Sequence, residues 1–384
     1  MIKICHLTSV HDSFDTRIFH KECMSLSKFG YDVSIISKGE KTFLENVNGI
    51  TIKHIKFTCK NRAKRVLLLS NKIYRLALLE NALIYHFHDP ELLRIGQKLK
   101  KKGKIVIFDS HEDVPGQIMD KQYIPSYVRK IIALIYRFYE KTVVKKLDAV
   151  ITVSPSRTEY FKVINRNVYQ ISNFPILSND YNQDRNNKYN SMPRSICFAG
   201  SICKEWMHEN ILLALNKIDK ITYNLAGSII SSYLDILSNL SGWEKVNYLG
   251  HLKYPDVRKL LENSGIGIAL YDYCGTVGYN EGTLGNTKIF EYMQAGIPII
   301  CSDFKIWKEV VKKTNCGIVV NPRDINEIAK AINYLLDNPE VSALMGKNGI
   351  NAVNKIYNWQ NEERKLLMLY DNLVKKRHET SEDN

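Results

Sequence analysis

Short runs of β-branched and aromatic residues alternate with amphipathic stretches along nearly the whole chain, and the rhythm breaks only once. In the first half the runs fall at 2–7, 33–37, 50–57, 83–87, 105–109, 150–153 and 168–171. Between them, 18–29 closed by Gly30 and 90–102 closed by Gly103 have helical spacing and a glycine stop. Ile105-Val106-Ile107-Phe108 is apolar without alternation, as expected of a parallel strand covered on both faces. An Asn-rich run at 181–193 reads as linker. The alternation restarts at 196–199, 222–226, 246–249, 266–270, 298–301 and 318–320. Helical stretches at 326–336 and 359–374 close the pattern, and the polar tail from Lys375 is expected to be disordered. The fold class is therefore α/β, with two doubly wound, Rossmann-like units. Ligands of such sheets bind at the carboxyl ends of strands, so the two units are expected to face each other across a ligand-binding cleft.

At 384 residues the chain is long enough for two cores of similar size. No stretch approaches the ~20 apolar residues of a spanning helix, and charged residues follow the first ten so closely that no signal peptide is expected. The eight cysteines form no C-x-x-C pair and several sit in apolar runs, which fits buried reduced thiols in the cytoplasm. The net charge of +14 is one-sided: residues 1–175 hold 30 Lys+Arg against 16 Asp+Glu, and residues 176–384 hold 24 of each. That asymmetry points to an anionic partner for the first half. Lys60, Arg62, Lys64 and Arg65 precede an apolar 66–69, and Arg129-Lys130 precede an apolar 131–136 followed by Arg137. Basic residues beside aliphatic and aromatic ones describe helices lying on an anionic membrane leaflet. Nucleic acid is disfavoured, because the basic residues are spread over several elements without a recognised module.

Polar residues crowd after two first-half strands, in His86-Phe87-His88-Asp89-Pro90-Glu91 and Asp109-Ser110-His111-Glu112. Such ends share one sheet edge, so His88, Asp89, His111 and Glu112 can belong to one site. Two chemistries fit them: metal ligation, or hydrogen bonding to sugar hydroxyls and a diphosphate without metal. Each histidine alone also fits a satisfied loop residue. In the second half, Glu281-Gly282-Thr283-Leu284-Gly285-Asn286-Thr287 runs into a helix bearing Lys288 and Glu291 three residues apart. First-turn amides and an ammonium there suit a diphosphate, and a carboxylate suits the two ribose hydroxyls; an ordinary exposed Lys–Glu pair is the plain alternative. The loop Gly200-Ser201-Ile202-Cys203-Lys204 offers a close backbone approach and a second lysine.

These segments taken together resemble the retaining family 4 glycosyltransferases (glycosyl transferases group 1), whose fold is GT-B. The resemblance covers nearly the whole chain. It rests on 6–11, on Asp15-Thr16-Arg17-Ile18-Phe19-His20-Lys21-Glu22, on His88-Asp89-Pro90-Glu91-Leu92 and on Asp109 to Glu112. In the second half it rests on Phe198-Ala199-Gly200-Ser201, on Tyr248-Leu249-Gly250, and on Lys288 through Pro298. It implies an N-terminal acceptor-side domain at 1–178, a nucleotide-sugar-binding domain at 179–356, a helix at 357–377 returning onto the first domain, and a tail at 378–384.

The resemblance further implies catalytic roles for His111, Lys288 and Glu291, with Glu291 on the ribose and His111 on the donor sugar. Donor binding would use Gly200, Ser201, Lys204, His251, Glu281, Thr283, Gly285, Asn286, Thr287, Lys288 and Glu291. Asp15, Arg17, His88, Asp89 and Glu112 would face the acceptor, Arg17 lying over the diphosphate. No metal and no cofactor is implied beyond the nucleotide-diphosphate sugar itself, UDP-linked in preference to GDP-linked. The expected acceptor is a hydroxyl of a lipid-linked saccharide in surface polysaccharide assembly of the capsule or O-antigen type. The enzyme would work at the inner face of the membrane. Thr283 stands where the family often has a glutamate, and Glu205-Trp206-Met207 where Arg-Gly is common, so Lys204 and Lys288 are expected to substitute. A nucleotide-sugar epimerase of the same fold, a metal-dependent hydrolase and a non-catalytic nucleotide-sugar-binding scaffold are the rival readings.

Overall fold

The computed structural model describes residues 1–58, 62–111, 113–121, 123–177 and 193–382. Cys59, Lys60, Glu112 and most of the 181–193 linker lie outside the described residues, as do the side chains of Arg62 and Arg65. The chain forms two units, one of Met1–Asn173 with Trp359–Asn384 and one of Phe174–Asn358.

The first unit is built on eight strands: β1 (Lys3–Leu7), β2 (Asp32–Gly39), β3 (Phe43–Val47), β4 (Ile50–Lys56), β5 (Ile84–Phe87), β6 (Ile105–Ser110), β7 (Ala149–Thr152) and β8 (Val168–Gln170). Their order is β3-β4-β2-β1-β5-β6-β7-β8, and all neighbours are parallel except β3 and β4. Alternate residues of the central strands feed two cores. Ile4, Ile35, Ile84 and Ile107 pack on one face with the final helix, and Leu7, Ile36, Phe87 and Phe108 pack on the other. That two-sided burial is why these runs show no polar alternation.

β3 has no counterpart in the sequence reading. It is an exposed edge strand that buries little, so it lacks an apolar signature. Its signal was the turn: Asn48 and Gly49 both adopt positive φ, the two-residue hairpin favoured between antiparallel strands. The expected helix at 18–29 begins instead as a wide π-turn, Ile18–Cys23, before the α-helix Met24–Lys28. The final helix runs Trp359–Glu382, so the chain stays helical beyond Lys375, where disorder was expected. Its anchors lie upstream, where Trp359 Nε1 donates to Ser25 Oγ at 3.0 Å and Glu362 accepts from the Ser172 amide at 2.8 Å.

The second unit has six parallel strands: β9 (Ser195–Ala199), β10 (Thr222–Ala226), β11 (Val246–Gly250), β12 (Ile266–Ala269), β13 (Ile299–Ser302) and β14 (Gly317–Val320). Their order, β11-β10-β9-β12-β13-β14, reverses direction between β9 and β12. Those two strands pair only at Ile196↔Ile266 and Cys197↔Gly267, so their carboxyl ends part. A crevice at such a reversal is where doubly wound sheets bind ligands. In the first unit the reversal lies between β1 and β5.

Candidate active site

The carboxyl ends of β9, β10 and β11 form a basin floored by backbone. The Gly200 amide donates to Ala226 O at 2.9 Å, and the Gly227 amide to Gly250 O at 2.7 Å. Gly200, Ser201, Gly227, Ser228, His251 and Val257 are among the residues lining a cavity of about 230 Å³. Both Gly200 and Gly227 have positive φ. A Cβ on Gly227 would strike the Gly200 carbonyl, and one on Gly200 would strike the Lys288 ammonium. Only glycine lets backbone and ammonium come this close.

Lys288 opens the helix Lys288–Gln294, and its side chain reaches the carboxyl end of β9. Nζ donates to Ala199 O at 2.5 Å and lies 4.9 Å from the centroid of the Phe198 ring. Burial lowers the pKa of this ammonium from its ordinary value, while nearby Glu291 pulls it back up. The lysine is therefore an enclosed cation beside a glycine basin, not half of an exposed helix pair. Glu291 is partly exposed and accepts from Thr287 Oγ1 at 2.7 Å, which steadies the carboxylate and leaves its second oxygen for a ligand.

The rest of the 281–287 loop serves mainly to shape it. Thr283 Oγ1 accepts from the Gly285 amide at 3.0 Å, and Glu281 pairs outward with Lys305 at 3.4 Å. Asn286 Oδ1 accepts from the Lys288 amide at 3.2 Å. That first-turn amide is thus already used, and the positive charge on offer is chiefly the lysine's. Ser201, Lys204 and His251 are exposed. Trp206, in the place of a common family basic residue, packs edge-on against Tyr271 with centroids 4.3 Å apart.

The first unit's polar cluster is closed in a different way. Asp89, 1% exposed, accepts from Thr8 Oγ1 at 2.8 Å and from the Ser9 and Val10 amides, while its other oxygen meets His11 Nδ1 at 2.9 Å. Burial alone would raise this carboxyl, but the hydrogen bonds from His11, Ser9 and Thr8 hold it far below the usual carboxylate range. Arg17, 4% exposed, grips Asp109 with Nε at 2.6 Å and Nη2 at 3.1 Å, and its Nε lies 3.1 Å from Glu22. His88 is enclosed between His6, at 3.0 Å, and Asp109, at 3.3 Å. Asp15 Oδ1 accepts from the Arg17 and Ile18 amides and so starts the π-turn.

The four acceptor-side residues Asp15, Arg17, His88 and Asp89 are thus held largely by partners of their own unit. Arg17, His88 and Asp89 are buried and bound mainly within their own unit, although Arg17 Nη1 has no hydrogen-bond partner and Asp89 also lines a cavity, and partly exposed Asp15 caps a turn with Oδ1. The bulk of a guanidinium between two carboxylates favours this, because an unpaired buried carboxylate is costly. His11, not singled out from sequence, joins His111 instead: their Nε2 atoms lie 3.3 Å apart and both rings are partly exposed. Burial pushes the His111 imidazole down to about 4 against the opposing charge of Asp109, so it is neutral near pH 7.

Next to Asp89 the first unit holds a larger cavity of about 610 Å³. Its walls include Leu67, Ile132, Tyr136 and Tyr139, with Arg94 and Lys121 among its polar residues. It borders the helices Arg62–Glu80 and Ser126–Val144. The second of these is turned inside out for a soluble surface: Leu134, Ile135 and Phe138 are 69, 64 and 74% exposed, beside exposed Lys130, Arg137 and Lys141. Among the described residues no helix is long and apolar enough to cross a membrane.

Two family models match the chain, Glycosyltransferase Family 4 over residues 17–173 and Glycosyl transferases group 1 over residues 180–352. An uncharacterized glycosyltransferase of Methanocaldococcus jannaschii is 24% identical over 253 residues. That match spans 62% of this chain and 62%, less than two thirds, of the relative's own length. Among solved structures, a sucrose-phosphate synthase from Thermosynechococcus elongatus superposes with a TM-score of 0.78 at 15% identity, over 98% of this chain and 100% of that one. Anabaena HepE in complex with UDP and glucose gives a TM-score of 0.70 at 13% identity, over 97% and 100%. These structural likenesses establish the GT-B fold.

Proposed function

The chain belongs to glycosyltransferase family 4, and on that premise we propose that it transfers a sugar, with retention, from a nucleotide-diphosphate sugar to a hydroxyl of a lipid-linked saccharide. The observation that carries this reading is the enclosed Lys288 ammonium beside the Gly200–Gly227 basin. As the sugar–phosphate bond breaks, negative charge grows on the leaving diphosphate. A preorganised cation in a partly desolvated site stabilises that charge where it develops. Exposed Lys204 adds charge at the basin's rim. Glu291 accepts the ribose hydroxyls with the oxygen Thr287 leaves free. Neutral His111 hydrogen-bonds the sugar, and a phosphate oxygen takes the proton of the attacking hydroxyl. The donor is a UDP-sugar; the UDP and glucose held by Anabaena HepE support that choice over a GDP-sugar.

The acceptor's lipid is inferred from the first unit. Exposed apolar side chains interleaved with lysines on Ser126–Val144 suit an anionic leaflet, here the inner face of the membrane. The adjoining cavity, largely apolar with Arg94 and Lys121 as well as Asp89 and Glu91, suits a lipid headgroup and the first part of its chain. Such an acceptor is the kind used in surface polysaccharide assembly of the capsule or O-antigen type. A thermal-shift panel of nucleotide diphosphates and their sugars tests the donor: one base should raise the midpoint selectively by mass action. In the same preparation, flotation with anionic vesicles should be strong at low salt and lost at high salt. No selective shift defeats the donor assignment, and no flotation at low salt defeats the membrane assignment.

A further inference from the structure

At the strand reversal of the first unit, three imidazoles surround one carboxylate without bonding to it. His6 lies on β1, His86 on β5, His88 just past β5, and Glu22 on the π-turn, and all four are at most 1% exposed. Glu22 Oε2 stands 3.9 Å from His6 Nδ1, 3.8 Å from His86 Nδ1 and 3.8 Å from His88 Nε2. The two outer imidazoles are closer, with His6 Nδ1 and His88 Nε2 at 3.0 Å. Candidate ligand atoms of the four residues all lie within 4.8 Å of one another. No donor hydrogen-bonds to Glu22 Oε2, and His86 Nε2 is also buried without a partner. A buried carboxylate oxygen equidistant from three nitrogens, yet beyond hydrogen-bond reach of each, is arranged around a shared centre. Tetrahedral zinc with ligands at ~2.0–2.1 Å places its ligand atoms ~3.3 Å apart, and these four separations, 3.0 to 3.9 Å, lie within about 0.6 Å of that spacing.

We propose that His6, Glu22, His86 and His88 bind one structural divalent cation of the zinc type. Three nitrogens and one carboxylate oxygen suit that ion, and four protein ligands in a sealed pocket leave no open position for substrate. Partners stand beside the second ring atoms of His88 and His6, while His86 Nε2 has none. His88 Nδ1 faces Asp109 Oδ2 at 3.3 Å, and Arg17 fixes that carboxylate. The Tyr370 hydroxyl, now 2.8 Å from His86 Nδ1, also lies 3.5 Å from His6 Nε2 and passes to that atom when His86 turns to the ion. The cation would bolt β1, β5 and the π-turn together. This site goes beyond the proposed transfer reaction and stands or falls separately from it.

The test uses the full chain without an affinity tag, unfolded and refolded with zinc or cobalt(II) and then dialysed. Close to one zinc per chain is expected, and the cobalt form should show the visible bands of four-coordinate cobalt. Glu22→Gln and His86→Gln should each weaken cobalt binding at least about tenfold, while His378→Gln on the exposed final helix leaves it unchanged. Less than about a tenth of an equivalent in the wild type, or full occupancy in the Glu22→Gln/His86→Gln double variant, overturns the proposal. Where the double variant fails to fold by circular dichroism, the wild-type cobalt spectrum decides, and six-coordinate bands or none overturn it.

Discussion

At the ends of its central strands the first unit carries His88, Asp89 and Asp109, each met by partners from its own unit: Arg17 on Asp109, Thr8, Ser9 and His11 on Asp89. At the equivalent ends the second unit carries Gly200 and Gly227, bare backbone, and a single enclosed ammonium from Lys288. Both edges belong to doubly wound sheets, and both lie where such sheets take ligands. The difference teaches that a crowd of charged residues after a strand is weaker evidence for a binding site than a pair of glycines. Most of the crowd is bound by its own neighbours, whereas the glycines leave backbone and an ammonium open to a ligand.

The hardest blow to that contrast comes from Arg17→Ala. If the cluster is architectural, the change strands Asp109 and Glu22 in the interior and should cost about 3–5 kcal/mol of stability in denaturant unfolding. An unaltered midpoint with impaired transfer would instead make the first unit's edge a ligand site. Lys288→Ala probes the other side. Turnover should fall about 10²–10³-fold while nucleotide affinity changes far less, because the ammonium acts on charge that develops during reaction. Equal losses in both would reduce it to a ground-state anchor.

A gentler probe is pH. His111 has a folded pKa of about 4, below the ~6.5 of an unfolded histidine, so the unfolded chain takes up the proton first. Its contribution is fully present above ~6.5 and lost as pH falls toward 4, about 3 kcal/mol in all. His208, lowered to about 3 by burial and by Lys288, acts in the same direction in the second unit. His111→Gln should flatten the decline between these limits, measured by unfolding at each pH, and an unchanged slope would show that His111 does not titrate in this way.

Much of this architecture was legible because the strands are buried on both sides. Runs such as 105–108 and 299–301 have no reason to be apolar throughout except a parallel sheet, and the strands found differ from them only at the ends. β3 escaped because an edge strand needs no apolar face, although its Asn48-Gly49 turn was in view. Residue roles were harder to read. Arg17 and Asp109 are 92 positions apart, and nothing local says that the guanidinium will turn Nε and Nη2 onto that carboxylate. Lys288 and Glu291 looked like an ordinary helix pair, because the carbonyl that takes the ammonium, Ala199, lies 89 residues upstream. Motifs mark where chemistry is concentrated, but tertiary partners decide which members remain free.

Hydrogen–deuterium exchange of the full chain with and without UDP addresses the contrast between the two edges most directly. The account predicts that protection gathers in the second unit, at 199–204, 226–228, 250–252 and 284–291, where amides of the basin and the Lys288 helix lie. Protection confined to 8–11, 88–89 and 109–111, with the second unit unchanged, would contradict it.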